Sequence, residues 1–331
     1  MDDLISLHKL KVFCQVVRHK SVTRAAEELR IAQPAVTAHV RSLERKLGTR
    51  LVIRQGRNIQ ISEAGRTLYV WANSMLAQYR DTERRIRGYS NGERGSAMIA
   101  SSMSVGSYVL PRILGRYRQT NPYAQIRLTI SHPSPASQQV HEGVCDFAVL
   151  HLHSELAGEE LIIERLGSEE LIIVASNDDP RIGATIDIDE LMCIPFVASP
   201  VGQIRELEDI ALRNWGITNR QIAIELGHPE AIKQAIRQRL GVGLLFRSAV
   251  EEHVADGTLR AVGLKGAPML VPLVLVHSPS KIFSPLQEKV IDHIRKELAN
   301  ELLPVSRTPS LGVMEPEVGY GTKATWAWVQ A

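Results

Sequence analysis

Cysteine is nearly absent. Cys14, Cys145 and Cys193 are three thiols in 331 residues, too few and too scattered for a disulfide framework, and packing is their expected role. No apolar run approaches the roughly 18 residues a membrane span needs, so no membrane partner is expected. The opening MDDLISLHKL starts acidic and lacks a signal-peptide pattern, which makes the cytoplasm the expected compartment. Catalytic signatures are missing too: no Gly-x-Ser-x-Gly, phosphate loop, His-Glu-x-x-His or cysteine–histidine pair is apparent. The Gly-x-Gly at Gly241 and Gly243 leads into a strand rather than a helix, which disfavours a dinucleotide fold. Neither an enzyme nor a cofactor is expected. A solute-binding protein would normally carry a signal peptide, so that reading is disfavoured as well.

What is present is an uneven spread of charge. The net charge of +3 hides a basic head, since residues 1–95 hold 18 Lys and Arg against 9 Asp and Glu, a balance of +9. Residues 96–331 hold 21 against 27, a balance of −6. A basic head on an acidic body is the electrostatic footprint of a nucleic-acid binder with a separate function behind it. A nucleoid-type protein that binds DNA nonspecifically would leave the larger acidic body unexplained. The length suits two or three domains, and a 44% hydrophobic content supplies a sizeable core.

The stretch from Ser21 to Ser62 organises the head. Ser21 is a good N-cap, and Val22, Ala25, Ala26 and Leu29 recur at helical spacing, predicting a short helix over 22–29. Arg30 and Ile31 make a tight turn, and Pro34 suits the start of a second helix. Val36, Val40, Leu43 and Leu47 form its inward stripe, leaving Gln33, Thr37, Ala38 and Arg41 facing outward. Two helices joined in this way make a helix-turn-helix, whose polar tip and basic flank suit a major groove. Leu51–Arg54 and Asn58–Ile61 then read as a hairpin wing carrying Arg50, Arg54 and Arg57. A helical hairpin with a solvated basic face would also carry such charge. Spacing, proline placement and wing together favour DNA. The expected DNA-contacting set is Ser21, Thr23, Gln33, Pro34, Ala35, Thr37, Ala38, Arg41, Arg50, Arg54 and Arg57. An opening helix with Leu7, Leu10, Phe13, Val16 and Val17 on its apolar face completes the core.

After Ser62 a long helix runs to about Tyr89, with Leu68, Trp71, Met75, Tyr79 and Ile86 at near-heptad spacing on one seam. Such a seam should pair with a copy of itself, though packing onto its own domain is compatible. A twofold dimer would present two reading helices about one DNA turn apart, to a partly palindromic site.

The run AAEEL…AQPAVTAHVRSLERKLGTRLVIR…ISEAG resembles the N-terminal domain of the LysR-type transcriptional regulators. Two departures from the family's pattern are visible: Thr37 stands where serine is common, and Val52-Ile53 where Leu-Phe is commoner. The resemblance continues to about residue 300 through YVLPRIL, the EGVCDFAVL run and RLGVGLL. It implies an N-terminal all-α winged helix-turn-helix with a linker helix, and a C-terminal α/β two-lobed effector domain like the periplasmic binding proteins. It also implies a homodimer or homotetramer acting on double-stranded DNA under a small-molecule effector, with RNA polymerase as a candidate partner.

The expected domains are 1–62 for DNA binding, 63–90 for the linker helix, 91–96 for a hinge and 97–303 for the effector domain. Lobe I should take 97–168 and 270–303, lobe II 169–269, and 304–331 reads as a loose tail. Strands and helices alternate from Ala97, predicting a mainly parallel sheet. Ligands in such sheets sit beyond the carboxyl ends of strands. Ser102 and Ser104, placed two apart on an extended backbone beside a helix start, form an anion-binding arrangement; the resemblance also puts them on effector-contacting positions. A purely capping role for these serines is the alternative. His151 follows another strand, again at a pocket position by resemblance, while His132, Gln203 and His228 lie at strand ends or helix starts. A small organic anion is the expected ligand. His151 and His153 form a His-x-His pair, but no third ligand is evident and no metal is expected.

Overall fold

Ser21 starts the second helix as its residue type predicts: its backbone is extended and its hydroxyl accepts from the Arg24 N–H at 3.3 Å. The computed structural model describes residues 5–55, 58–90, 95–153, 156, 161–264, 268–301, 311–317 and 325–330; at some of these, Arg54 among them, only the backbone is described. The chain divides near residue 92 into two units.

In the first unit α1 (Leu7–His19), α2 (Val22–Leu29) and α3 (Gln33–Leu47) enclose two apolar clusters. Val12, Val16, Ala25, Ala26, Val36 and Val40 make one, the alanines letting α2 approach closely. Leu10, Phe13, Cys14, Leu43 and Leu51 make the other. Burying one such Leu or Phe side chain is worth roughly 1.5–3 kcal/mol. Burial also pushes the Cys14 thiol up to about 12, so this cysteine is a packing residue. The wing pairs β1 (Val52–Gln55) with β2 (Asn58–Ile61), Val52 opposite Ile61. Glu44, near the end of α3, holds the wing's start by accepting from the Leu51 and Val52 N–H groups at 3.0 and 3.4 Å. α4 (Glu63–Ser90) follows, capped by the Ser62 hydroxyl on the Gly65 N–H at 3.0 Å. Gly65 is required here, because a Cβ would lie 2.1 Å from the Leu51 carbonyl oxygen.

The second unit is built on β3 (Ser96–Ser102), β4 (Gln125–Ser131), β5 (Phe147–His151), β6 (Ile162–Ser176), β7 (Thr185–Ile186), β8 (Phe196–Ala198), β9 (Ile222–Glu225), β10 (Gly243–Phe246), β11 (Leu259–Leu264) and β12 (Met269–His277). Its helices are α5 (Leu110–Thr120), α6 (Pro133–His141), α7 (Ile188–Met192), α8 (Gln203–Asn214), α9 (Pro229–Arg237), α10 (Arg247–Ala255) and α11 (Pro285–Glu301). Lobe I orders its strands β4-β3-β5-β12-β6, with β3 parallel to both β4 and β5. Lobe II places β10 and β11 on the C-terminal half of β6, while β8 and β9 pair in parallel. The fifteen-residue β6 therefore serves both lobes and runs across the expected division at residue 168. α11 returns to the first lobe, where Val290, Ile291, Ile294 and Leu298 join its core.

Three expectations change. The sheet is mixed rather than mainly parallel, because β12 runs antiparallel to β5 and β6, and β6 antiparallel to β10 and β11. Ser102 and Ser104 do not share an extended face: the strand stops at Ser102, and Ser104 is helical (φ −66°, ψ −50°), leading into a π-helical turn at Val105–Val109. In the stretch expected to be loose, β13 (Leu311–Glu317) and β14 (Thr325–Gln330) pair as an antiparallel hairpin. Its Val313, Trp326, Trp328 and Val329 favour strand structure, which the prolines and glycines around them obscure.

Candidate nucleic-acid interface and effector pocket

On the first unit, Val36, Val40 and Leu43 of α3 face inward, while Leu47, expected in the same stripe, is 41% exposed at the helix end. Gln33, Pro34, Ala38 and Arg41 are exposed, with Thr23 of α2 and Arg50 before the wing also exposed. Ala35 and Thr37 are half-buried, as is Ser21, whose hydroxyl is engaged in its cap. Thr37, Arg41, Glu44, Arg50 and Ile53 line a shallow groove between α3 and the wing. The Arg54 side chain and all of Arg57 lie outside the described residues.

The seam of α4 divides. Trp71, Met75, Tyr79 and Ile86 are 45%, 36%, 51% and 59% exposed, an apolar row at spacings of four, four and seven. Leu68 departs from the expected seam. It is buried among Leu10, Phe13, Leu43, Ala72 and Leu76, one helical face away, because this turn of α4 closes its own unit's core.

In the second unit a cavity of about 460 Å³ lies between the lobes, a size usual for small-molecule sites. Four helix starts border it: Met103-Ser104 before the π-helical turn, His132–Pro135 at α6, Pro200–Ile204 at α8, and Gly227–Pro229 at α9. Each turns the positive end of a helix dipole toward it, though the Ser134 N–H of α6 and the Glu230 N–H of α9 are already taken by Gln203 Oε1 and His228 Nδ1. Leu171, Ile232, Leu244, Leu245 and Phe246 supply an apolar floor, and no Lys or Arg is among the described lining residues.

Of the six expected effector residues, the cavity gathers Ser104, His132, Gln203 and His228. Ser104 is 8% exposed and its side chain makes no capping hydrogen bond. The His228 Nδ1 accepts from the Glu230 N–H at 3.2 Å, capping the start of α9. Ser102 and His151 do not line the cavity. Ser102 is 1% exposed, and its Oγ has no hydrogen-bond partner among the described residues. His151 is equally buried, with Nε2 2.7 Å from the Glu169 carboxylate and its ring stacked 3.6 Å from that of Phe246. The pleat of β5 turns His151 into the interior instead of out at the strand's end. Burial alone would raise the Glu169 carboxyl, but hydrogen bonds from His151 and the Ser248 N–H outweigh it and hold the group below the usual carboxylate range.

Two family descriptions match the sequence that builds these sites. Residues 7–66 match the bacterial regulatory helix-turn-helix proteins of the lysR family, and residues 90–299 match the LysR substrate binding domain. The chain belongs to the LysR family. It is a LysR-type transcriptional regulator with a DNA-binding helix-turn-helix and an effector-binding domain, not an enzyme. Among LysR-family relatives, it is 30% identical over 292 residues to an uncharacterized HTH-type transcriptional regulator, YeiE, of Escherichia coli, covering 87% of this chain and 97% of the relative. It is 29% identical over 316 residues to a probable RuBisCO transcriptional regulator of Nostoc sp., covering 93% and 91%. Its fold resembles those of ArgP from Mycobacterium tuberculosis (TM-score 0.60, 20% identity, covering 89% of this chain and 98% of that one) and of full-length CbnR complexed with its target DNA (TM-score 0.51, 18% identity, 88% and 99%). No helix among the described residues is long and apolar enough to cross a membrane. Phe246, Ser134, Ser199 and Leu171 are lining residues of this LysR-family pocket that sequence reasoning missed. Ser134 could have been found as a hydroxyl in the first turn of α6, and Ser199 and Phe246 by their places at the ends of β8 and β10; Leu171, inside β6, carries no local signal.

Proposed function

We propose that this LysR-family regulator works in the cytoplasm as a dimer paired along α4, reading a partly palindromic duplex site and answering to a small organic anion. Gln33, Thr37 and Ala38 would read base edges, with Ser21, Thr23, Pro34 and Ala35 beside them, while Arg41, Arg50, Arg54 and Arg57 meet phosphates. The exposed row Trp71, Met75, Tyr79 and Ile86 supports the pairing. Contact with RNA polymerase at the promoter belongs to the same reading.

The observation that carries the effector class is the convergence of four helix starts on one cavity. Without a lining Lys or Arg, an anion would be met by backbone N–H groups, helix dipoles and the Ser104 hydroxyl. The apolar floor would take a hydrocarbon body, which favours an organic acid over a bare inorganic oxyanion. Calorimetric titration with a panel of small carboxylates, then with Ser104→Ala, tests this. The variant should lose about tenfold in affinity for the best carboxylate, one charge-assisted hydrogen bond; unchanged affinity would remove Ser104 from the site.

A further inference from the structure

The two walls of the cavity are tied to each other by side chains, and one of these ties encloses a buried charge. The Tyr108 hydroxyl, in the π-helical turn of lobe I, donates to Glu230 Oε1 on α9 of lobe II at 2.6 Å. The same oxygen receives the Lys233 ammonium at 2.7 Å, which also donates to the Ala249 carbonyl at 2.8 Å. The Lys233 Nζ lies 4.7 Å from the centre of the Tyr108 ring, and the residue is 1% exposed. A second tie lies on the cavity wall itself, where the Ser134 N–H of α6 donates to the Gln203 Oε1 of α8 at 3.2 Å.

An ammonium is held out of water only where partners replace its hydration. Here Ala249 and Glu230 come from Lys233's own lobe, but the aromatic lid and its hydroxyl come from the other. Parting the lobes would lift the ring away and admit water to Lys233, whereas Glu230 is already 46% exposed. Closing them restores a charge-assisted hydrogen bond and a cation–π contact. The contact therefore holds only while the cleft is closed. α9 carries the coupling: its first turn holds His228 and Pro229, and its second Ile232, all on the cavity wall.

We propose that Tyr108, Glu230 and Lys233 form a clasp between the lobes that sets how often the cavity opens. That such opening exchanges an effector rests on the function proposed above; the clasp itself does not require a ligand. Amide hydrogen exchange on the full-length, ligand-free protein tests it, since exchange through cleft opening follows the open population. In Tyr108→Phe, which keeps the ring and removes the hydroxyl, peptides covering 131–136, 200–206 and 227–233 should exchange together about tenfold faster, the worth of one charge-assisted hydrogen bond. Peptides covering 97–101 and 147–150, inside lobe I, should be unchanged. Lys233→Met should release the same three cleft peptides, and the double variant should be no faster than the faster single one. Faster exchange confined to residues near 108, or strictly additive effects in the double variant, would overturn the proposal. A failed clasp would leave the carboxylate titration untouched, and a failed titration would leave the clasp standing.

Discussion

Replacing Trp71 by alanine should separate the proposed dimer without harming the fold. Trp71 is 45% exposed on α4, in line with Met75, Tyr79 and Ile86. An aromatic side chain brings on the order of 150–250 Å², so the exposed part of Trp71 is roughly 100 Å². A twofold seam covers it on both copies, roughly 200 Å², worth about 5 kcal/mol at about 25 cal/mol per Å². Alanine keeps part of that contact and neighbouring side chains settle into the gap, so about 3 kcal/mol is expected, roughly a hundredfold rise in Kd. Sedimentation velocity over a concentration series on the full-length protein reads this directly. Leu68→Ala is the control: buried with Leu10 and Phe13 in its own unit, it should lower the Tm and leave the dimer Kd within about twofold. Two results would refute the reasoning: a Trp71→Ala dimer as tight as the parent, or a Leu68→Ala dimer weakened as much.

Gly65→Ala places a methyl 2.1 Å from the Leu51 carbonyl, so α4 must shift against the wing. Chemical denaturation should show a loss of about 2–4 kcal/mol, and a loss below about 0.5 kcal/mol would show that the two elements part freely. Glu169 has a depressed folded pKa, so its contribution is fully present above its ordinary value of 4.5 and is lost as pH falls through the folded value. Glu169→Gln should therefore be less stable than the parent at pH 7, with the difference narrowing below pH 4.5; a gap constant with pH would contradict an ionised Glu169. Arg41→Ala should weaken binding to all duplex sequences alike and lower the salt slope of DNA binding by about one, in fluorescence anisotropy over a salt series. A change limited to one sequence would make Arg41 a base reader instead.

The helix-turn-helix was legible almost residue by residue, because each of its signals is local. Ser21 caps, Pro34 starts a helix, and the Val36, Val40 and Leu43 stripe points inward, all decided within a few turns of the chain. The charge asymmetry and the strand–helix alternation after Ala97 are equally local, and they were enough to separate a reading head from an α/β body. Other features depend on which distant segments meet. Leu68 and Trp71 share one heptad pattern, and only packing against α1 and α3 assigns the first to the core. The charged run at Glu164, Arg165, Glu169 and Glu170 disguises a fifteen-residue strand whose partners lie about a hundred residues away on β12. His151 looked like a pocket residue because it ends a strand, yet the pleat of β5 turns it inward against Phe246 of β10, and it is Phe246 that lines the cavity. The contact between Tyr108 and Glu230 spans 122 residues and leaves no trace in either neighbourhood. Caps, breakers and amphipathic periods act over one or two turns of backbone, so the chain alone determined the helices of its DNA-reading head. Strand register and lobe closure place residues far apart in sequence side by side, so only the tertiary structure decided which of them face the cavity.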